Sequence, residues 1–360
     1  MSVGAGATDE KPLIDLFCGA GGSALGFQRT GFSIALGVDI DAEGLKTFNQ
    51  NLQSKALHAD LFEMDPGEIL SSAGLDRNET AIQLGCPPCQ GFSGLNDKGV
   101  RDRRNDLVHR YVDAVRIIRP LFLVFENVPR IMDREAYFDR TLHSLRGMGY
   151  HIRYELVDMR DFGVPQRRTR LVIVGCRDKK IMKRFLFPEK THAGNPENES
   201  IAPWRTVRDA ISDLQPLAAG WRSSRIPNHI ASSHSESIMK KILSVPKNGG
   251  SRRQMPRRLW YKCHKGKNGF NDVLGRMAWD EPSPTITTGC CNPTRGRYLH
   301  PQQNRAITPR EAARLQTFPD DFVFAGGIVS ITRQIGNAFP PLYSEKLGRR
   351  IITAMASEGS

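Results

Sequence analysis

The chain has 360 residues, 39% hydrophobic and 25% charged, which suits a folded protein with one large domain and a smaller second one. No apolar run reaches the roughly 20 residues of a membrane span, and the opening MSVGAGATDE lacks the basic-then-apolar order of a secretory signal, so no membrane partner is expected and the chain is read as cytoplasmic. Seven cysteines at scattered spacings do not form a disulfide framework, and reduced thiols are the expectation.

The net charge of +13 is unevenly placed. Lysine plus arginine against aspartate plus glutamate counts 21 to 23 over residues 1–176, 25 to 10 over 177–310, and 5 to 5 over 311–360. An excess confined to one internal segment is what a polyanion-binding surface requires, against the plainer reading of a soluble basic face. No long amphipathic basic helix accompanies it, which argues against a membrane surface.

In chain order, strands are predicted at LIDLF (13–17), SIALGVD (33–39), AIQLGC (81–86), LFLVFENV (121–128), IRYELVD (152–158) and RLVIVGC (170–176). Helices are predicted after Gly22, around Glu43–Gln50 and from Leu107 to Ile118. Strands of Val, Ile and Leu separated by helices predict an α/β fold with a parallel, doubly wound sheet, which binds ligands at the carboxyl ends of its strands. From about residue 180 the pattern loosens into a second domain, and PREAARLQTF (309–318) and LYSEKLGRRIITAM (342–355) read as helices.

Behind the first strand, CGAGGSALG places Gly19, Gly21 and Ala24 in a G-x-G-x-x-A spacing, and the second strand ends in Asp39. Such a turn lets backbone N–H groups approach a ligand at a helix N-terminus, and an acid at that distance meets ribose hydroxyls. The pattern points to a nucleoside-containing cofactor without separating a nicotinamide dinucleotide from S-adenosylmethionine. Asp60, closing the run ALHAD, is either an adenine-amino acceptor or a turn residue. LGCPPCQGFSGLN (84–96) sets Cys89 behind two prolines. It reads as half of a zinc site, a dithiol pair with Cys86, or a nucleophile at a strand end. Zinc lacks further paired cysteines, and a free thiol of pKa roughly 8.5 needs local help to become a thiolate. Glu126 in FENVP ends an apolar strand at the same edge, suited to hold or deliver a proton. In PQRRTR, Arg168 and Arg170 stand two apart, on one face of a strand, where they would meet a carbonyl or phosphate oxygen.

Taken together, DLFCGAGG, GVDID, HAD, GCPPCQGFS, FENVP, PQRRTR, RLQTFPDDF and QIGNAFP, in this order over nearly the whole chain, resemble the cytosine-5 DNA methyltransferase family of bacterial and phage restriction-modification type. The resemblance implies a Rossmann-like methyltransferase sheet with S-adenosylmethionine as cofactor and no metal. It implies a catalytic cofactor-binding domain over 1–188, a smaller target-recognition domain over 189–332, and a segment, 333–360, that packs back on the first. Double-stranded DNA is the implied partner, with a cognate restriction endonuclease acting on the same site, and the protein is expected to be a monomer.

Carried over residue by residue, Cys89 would attack cytosine C6, Glu126 would hold the N3 edge and Arg170 the O2 side, with Arg168 and Gln90 positioning loop and backbone. Phe17, Gly19, Gly21, Gly22, Asp39, Ile40, Asp60, Pro88 and Asn337 would line the cofactor. Some members have an aromatic residue where this chain has Ile40, so Phe17 is the ring that would stack on adenine instead. The target base must be flipped out of its duplex. Residues 91–106 read as a lid, with Ser93, Arg101, Arg103 and Arg104 toward DNA. In the basic region, Arg257 and Arg258 lead the cations around Trp260 and Tyr261, and PSPTITTG (282–289) offers Thr287 as a backbone contact. Three rivals compete with this reading. One is an RNA-directed relative, whose Cys-Phe-Thr signature this chain lacks; the others are a catalytically dead DNA-binding subunit and a CxxC redox protein.

Overall fold

A computed structural model of the protein describes residues 11–88, 103–196, 199–262 and 272–356. The chain forms two compact units, one of residues 1–157, 169–188 and 344–360 and the other of 158–168 and 189–343. In the first, the order is β1 (Lys11–Leu16), α1 (Gly22–Gln28), β2 (Phe32–Asp39), α2 (Ala42–Leu52), β3 (Ala56–His58), α3 (Pro66–Ala73) and β4 (Ile82–Gly85). It continues with α4 (Leu107–Ile118), β5 (Phe122–Asn127), α5 (Phe138–Gly147), β6 (His151–Asp158), β7 (Thr169–Cys176) and α6 (Lys179–Arg184).

The strands lie in the order β3-β2-β1-β4-β5-β7-β6. β1 pairs in parallel with both β2 and β4, so the chain winds to one side from β1 and to the other from β4. The gap between those two carboxyl ends is the topological switch point, where open α/β sheets take their ligands. β5 and β7 are antiparallel, with Asn127 opposite Leu171 and Phe122 opposite Cys176. The expected parallel pairing holds from β3 to β5 and gives way at β7. Residues between β6 and β7 carry only a 3-10 turn, Met159–Phe162, and not the crossover helix that parallel neighbours need.

Ile14, Leu16, Val38, Leu123, Phe125 and Ile173 bury the sheet against α4, whose Tyr111, Val112, Val115 and Ile118 form its apolar stripe. Tyr111 sits so tightly on β4 that a Cβ on Gly85 would lie 2.3 Å from its ring. No helix among the described residues is long and apolar enough to cross a membrane.

The second unit begins earlier and ends later than the expected 189–332. It takes in 158–168 because Arg168 is hydrogen-bonded to the carbonyls of Ile286, Gly336 and Ala338. Its helices are α7 (Val207–Ile211), α8 (Glu236–Ser244), α9 (Pro309–Leu315) and α10 (Ile328–Asn337), and a two-residue strand pair joins His192–Ala193 to Ala202–Pro203. The last helix, α11 (Pro341–Met355), buries Leu347, Ile351 and Ala354, and Arg184 donates to the Ala354 carbonyl.

So little regular structure leaves many buried carbonyls without ladder partners, and arginines serve them. Arg276 is fully buried and donates to the carbonyls of Val245, His300, Gln303 and Ile242 and to Asn304 Oδ1, at 2.6–3.1 Å. Burial pushes its pKa down to about 10, still protonated at neutral pH. Arg310 serves Pro227, Pro319 and Phe322 in the same way. Arg305 holds both oxygens of Glu311 at 2.8 and 2.7 Å. Among the cations around Trp260, Arg252 is buried against the ring, whereas Arg253, Arg257, Arg258 and Lys262 are exposed. Part of the cationic excess is therefore interior scaffolding.

Arg276→Met keeps the volume and strands four carbonyls. Each unsatisfied buried acceptor costs about 1–3 kcal/mol, partly relieved by water. The variant is expected to lose about 3 kcal/mol or more of stability in urea titration.

Candidate active site

The turn after β1 is shaped by backbone conformation. Phe17, Gly19 and Gly21 have φ of 59°, 50° and 87°, the left-handed region that glycine tolerates without cost. The two glycines serve different needs. A Cβ on Gly21 would strike Leu52 Cδ1 at 2.5 Å and Phe48 at 2.8 Å, so this glycine lets α2 pack against the turn. Around Gly19 nothing lies within 4 Å of the corresponding position, which leaves an open face over the turn.

Asp39, ending β2, locks this turn. Its Oδ2 accepts from Gly19 N and its Oδ1 from Asp41 N, both at 2.8 Å. Burial raises its pKa, and the backbone donors oppose that rise. Ile40 beside it is 63% exposed. Phe17 is half-buried against the core. Asp60 Oδ1 accepts from Phe62 N at 2.9 Å, so it performs the turn role whatever else it binds. Gly22 opens α1.

Across the switch point, β4 ends at Gly85 and leads through Cys86, Pro87 and Pro88. Cys89, Gln90, Ser93 and Arg101 lie outside the described residues. Asn127 Nδ2 donates to the Pro87 carbonyl at 3.3 Å, tying the end of β5 to the segment before residue 89. The Cys86 thiol is 3.7 Å from Ser23 Oγ, and burial, then the charge of Glu126, pushes its pKa well up. Cys86 is thus held as a thiol, which removes half of the proposed dithiol chemistry.

Glu126 is buried, and its Oε1 lies 2.8 Å from Arg170 Nε. The contact is an ion pair without hydrogen-bond alignment, so that oxygen keeps acceptor capacity. Arg170 also donates to the Thr169 carbonyl at 2.8 Å. The meeting follows from the antiparallel register, which carries the start of β7 to the same edge as the end of β5. In a parallel β7, PQRRTR would have opened at the opposite edge.

The sequence reading missed Asp15, an acid inside the apolar run of β1. It is buried, its Oδ2 has no hydrogen-bond partner among the described residues, and its pKa is pushed up to about 8. Burial is the main cause, the charge of Asp39 adds to it, and the Ala24 N–H opposes. An acid breaking the Leu-Ile-x-Leu alternation one step before a glycine turn was the available signal.

In the second unit, Arg168 is 2% exposed, and its Nη atoms donate to Ile286, Gly336 and Ala338 carbonyls at 2.9–3.4 Å. Its terminal nitrogens are engaged by backbone, so it acts on the substrate only by positioning the segments it ties together. Gln166 beside it accepts from Ile286 N and donates to Gln316 Oε1, both at 2.8 Å, so PQRRTR, PSPTITTG and RLQTF form one buried knot. Thr287 is exposed, its hydroxyl 3.0 Å from Tyr298 OH, and its backbone would clash with any Cβ on Gly336. Asn337 is exposed at the end of α10. Arg103 and Arg104 lie in a 3-10 turn before α4, with the Arg103 guanidinium 4.7 Å from the centre of the Phe62 ring. Among the described residues, no three His, Cys, Asp or Glu side chains gather as metal ligands.

A glycine turn and a strand-end acid at one side of the switch point, with a Glu–Arg pair at the other, define an α/β protein with a ligand site at the carboxyl ends of its strands. The family model for C-5 cytosine-specific DNA methylases matches residues 12–353, and the chain belongs to that family. The type II methylase M.HgiDII of Herpetosiphon aurantiacus is 35% identical over 348 residues, covering 94% of each chain. The type II methyltransferase M1.HphI of Haemophilus parahaemolyticus is 34% identical, covering 96% of this chain and 87% of its own. Among solved structures, a prophage-encoded protein of E. coli described as a DNA modification methyltransferase aligns with a TM-score of 0.72 and 26% identity, over 96% of this chain and 99% of its own. The protein is a DNA (cytosine-5-)-methyltransferase.

Asp15 generates a pH test. Its folded pKa, about 8, exceeds its ordinary 3.8. The folded state then retains a proton that the unfolded state releases, so this contribution is full below about pH 4 and is lost as pH rises through about 8. Asp15→Asn, neutral throughout, should gain thermal stability relative to the wild type progressively from pH 5 to 8.5. A melting series checks the trend, and parallel curves would refute the assignment.

Proposed function

We propose that the protein transfers a methyl group to C5 of one cytosine within a specific double-stranded DNA sequence, through a covalent bond between Cys89 and C6 of a base flipped out of the duplex. The observation that carries this reading is the Glu126–Arg170 pair, 2.8 Å apart, at the sheet edge toward which Asn127 ties Pro87. Cytosine C5 is a weak nucleophile. Addition of a thiolate at C6, with N3 held by Glu126 and O2 by Arg170, moves electron density to C5. C5 can then take the methyl group, and loss of the C5 proton with departure of Cys89 as thiolate restores the aromatic base. Glu126 and Arg170 each fix the other, which orients the two groups before the base arrives.

The open face over Gly19 and the exposed Ile40 suit a nucleoside cofactor. S-adenosylmethionine supplies an electrophilic methyl group when bound. Gly19, Gly21 and Gly22 would offer backbone beside it, Asp39 its remaining lone pairs to ribose, and Asp60, Ile40, Phe17 and Pro88 would border adenine; Asn337 is carried over with them from the family pattern. That unit would read DNA through exposed cations such as Arg257 and Arg258, with Thr287 at the backbone. A restriction endonuclease would share the site, and the enzyme would act as a monomer on cytoplasmic DNA.

Incubation with radiolabelled S-adenosylmethionine and either duplex DNA or transfer RNA tests the substrate class. Label in RNA alone would overturn the reading. Sequencing methylated positions on a mixed-sequence plasmid then gives the target. Cys89→Ser should abolish transfer yet keep cofactor binding by calorimetry, while Cys86→Ser retains activity. If both lose activity equally while folded, the dithiol reading replaces this one. Glu126→Gln should lower kcat by about 10²–10⁴-fold, the range for losing a positioned proton-handling group.

A further inference from the structure

Four tryptophans occur in the chain, and three are built into the second unit. The Trp204 indole donates to Asp161 at 3.0 Å under the Arg160 guanidinium. Trp260 donates to the Met255 carbonyl at 3.1 Å, and Trp279 meets the His300 ring edge-to-face. Trp221 differs. It is 68% exposed, and among the described residues its ring and its indole N–H have no partner.

A stiff hairpin holds it out. Trp221 N donates to the Ala218 carbonyl at 3.1 Å and the Trp221 carbonyl accepts from Ala231 N at 2.8 Å. Arg222 bridges Ile230 across the hairpin. Beneath, buried His229 reaches Thr308 Oγ1 at 2.9 Å and the Gln215 carbonyl at 2.8 Å. Buried Arg310 donates to the Pro227 carbonyl at 3.0 Å, and Asn228 exchanges two hydrogen bonds with the Phe324 backbone. Beyond the exposed Ala218 and Gly220, the bracing leaves Trp221, Arg222, Ser224, Arg225 and Pro227 facing outward.

The charge around the ring is one-sided. Residues 214–235 contain no aspartate or glutamate. Arg222 and Arg225 are exposed and, among the described residues, carry no ion pair, whereas Arg208, Arg297 and Arg314 elsewhere in the unit are paired with aspartates. An exposed aromatic ring on the same hairpin as two exposed guanidiniums matches a polyanion that also presents flat apolar faces, which is nucleic acid. Rigidity supports contact, because little side-chain or loop entropy remains to be lost on binding.

We propose that this hairpin is a DNA-reading element of the enzyme: Trp221 packs against bases of the recognition sequence, and Arg222 and Arg225 hold the flanking phosphates. This rests on the reading of the protein as a DNA methyltransferase, and names side chains that would determine affinity and sequence choice.

The test uses the full chain and a duplex carrying the site mapped on the plasmid. Trp221→Ala should weaken binding about 10- to 100-fold by anisotropy, the span of losing one stacked contact. Its S-adenosylmethionine affinity and urea midpoint should match the wild type. Arg222→Gln and Arg225→Gln should each reduce the salt slope of binding by about one. DNA should quench wild-type tryptophan emission, and Trp221→Phe should remove most of that quenching. If Trp221→Ala binds and methylates the site as the wild type does, with quenching intact in Trp221→Phe, the proposal fails and the hairpin is left to a protein partner. If the wild type methylates no DNA, the functional reading itself falls, which is a separate result.

Discussion

The candidate site depends on one reversal of chain direction. Four parallel pairings carry the sheet from β3 to β5, and the next neighbour, β7, runs the other way. Parallel strands place all their carboxyl ends at one edge, so anything that follows them can meet there. A strand entering from that edge brings the residues before it to the same place. Arg170 reaches Glu126 for this reason, although 44 positions separate them in the numbering of the chain. An arginine is the right residue for the task, since its planar donor array can hold one carboxylate and still face a second acceptor.

The pair's burial has consequences. Separating two charges from water is costly, and removing one partner leaves the other stranded, a loss of about 3–5 kcal/mol for a buried pair. Nearby lie Cys86, held as a thiol, and Asp15, pushed up to about 8. Both shifts have burial as their leading cause, and each neutral form limits the negative charge crowded beneath the glycine turn. Asp39 escapes this crowding by accepting two backbone N–H groups, so the turn and the acid stabilise each other.

The second unit solves a different problem. With short helices and almost no sheet, it satisfies interior carbonyls through guanidinium groups, each able to serve several acceptors at once. Glu311 illustrates the balance: burial alone would raise its pKa, yet the Arg305 hydrogen bonds overcome that and lower it. A unit built this way can leave loops such as 218–231 both irregular and stiff. Its surface is then free to carry side chains chosen for contact and not for packing.

The sequence by itself determined the strands β1, β2, β4 and β5, the glycine turn after β1, the acid at Asp39 ending β2, and the placement of Glu126 and Arg170 at strand ends. Those follow from local patterns: apolar period, turn glycines, and polar residues breaking apolar runs. The direction of β7 was not legible, because an apolar run reads the same whichever neighbour it pairs with. Burial of arginines was equally hidden. Arg168 and Arg170 look alike in PQRRTR, as do Arg252 and Arg253 two residues into SRRQM, yet Arg168 and Arg252 are interior and Arg253 is exposed. Asp15 passed for part of a strand. A guanidinium or carboxylate has the same formula in water and in a core; only the tertiary structure decides its neighbours, and the neighbours decide whether it supports the fold or meets the substrate.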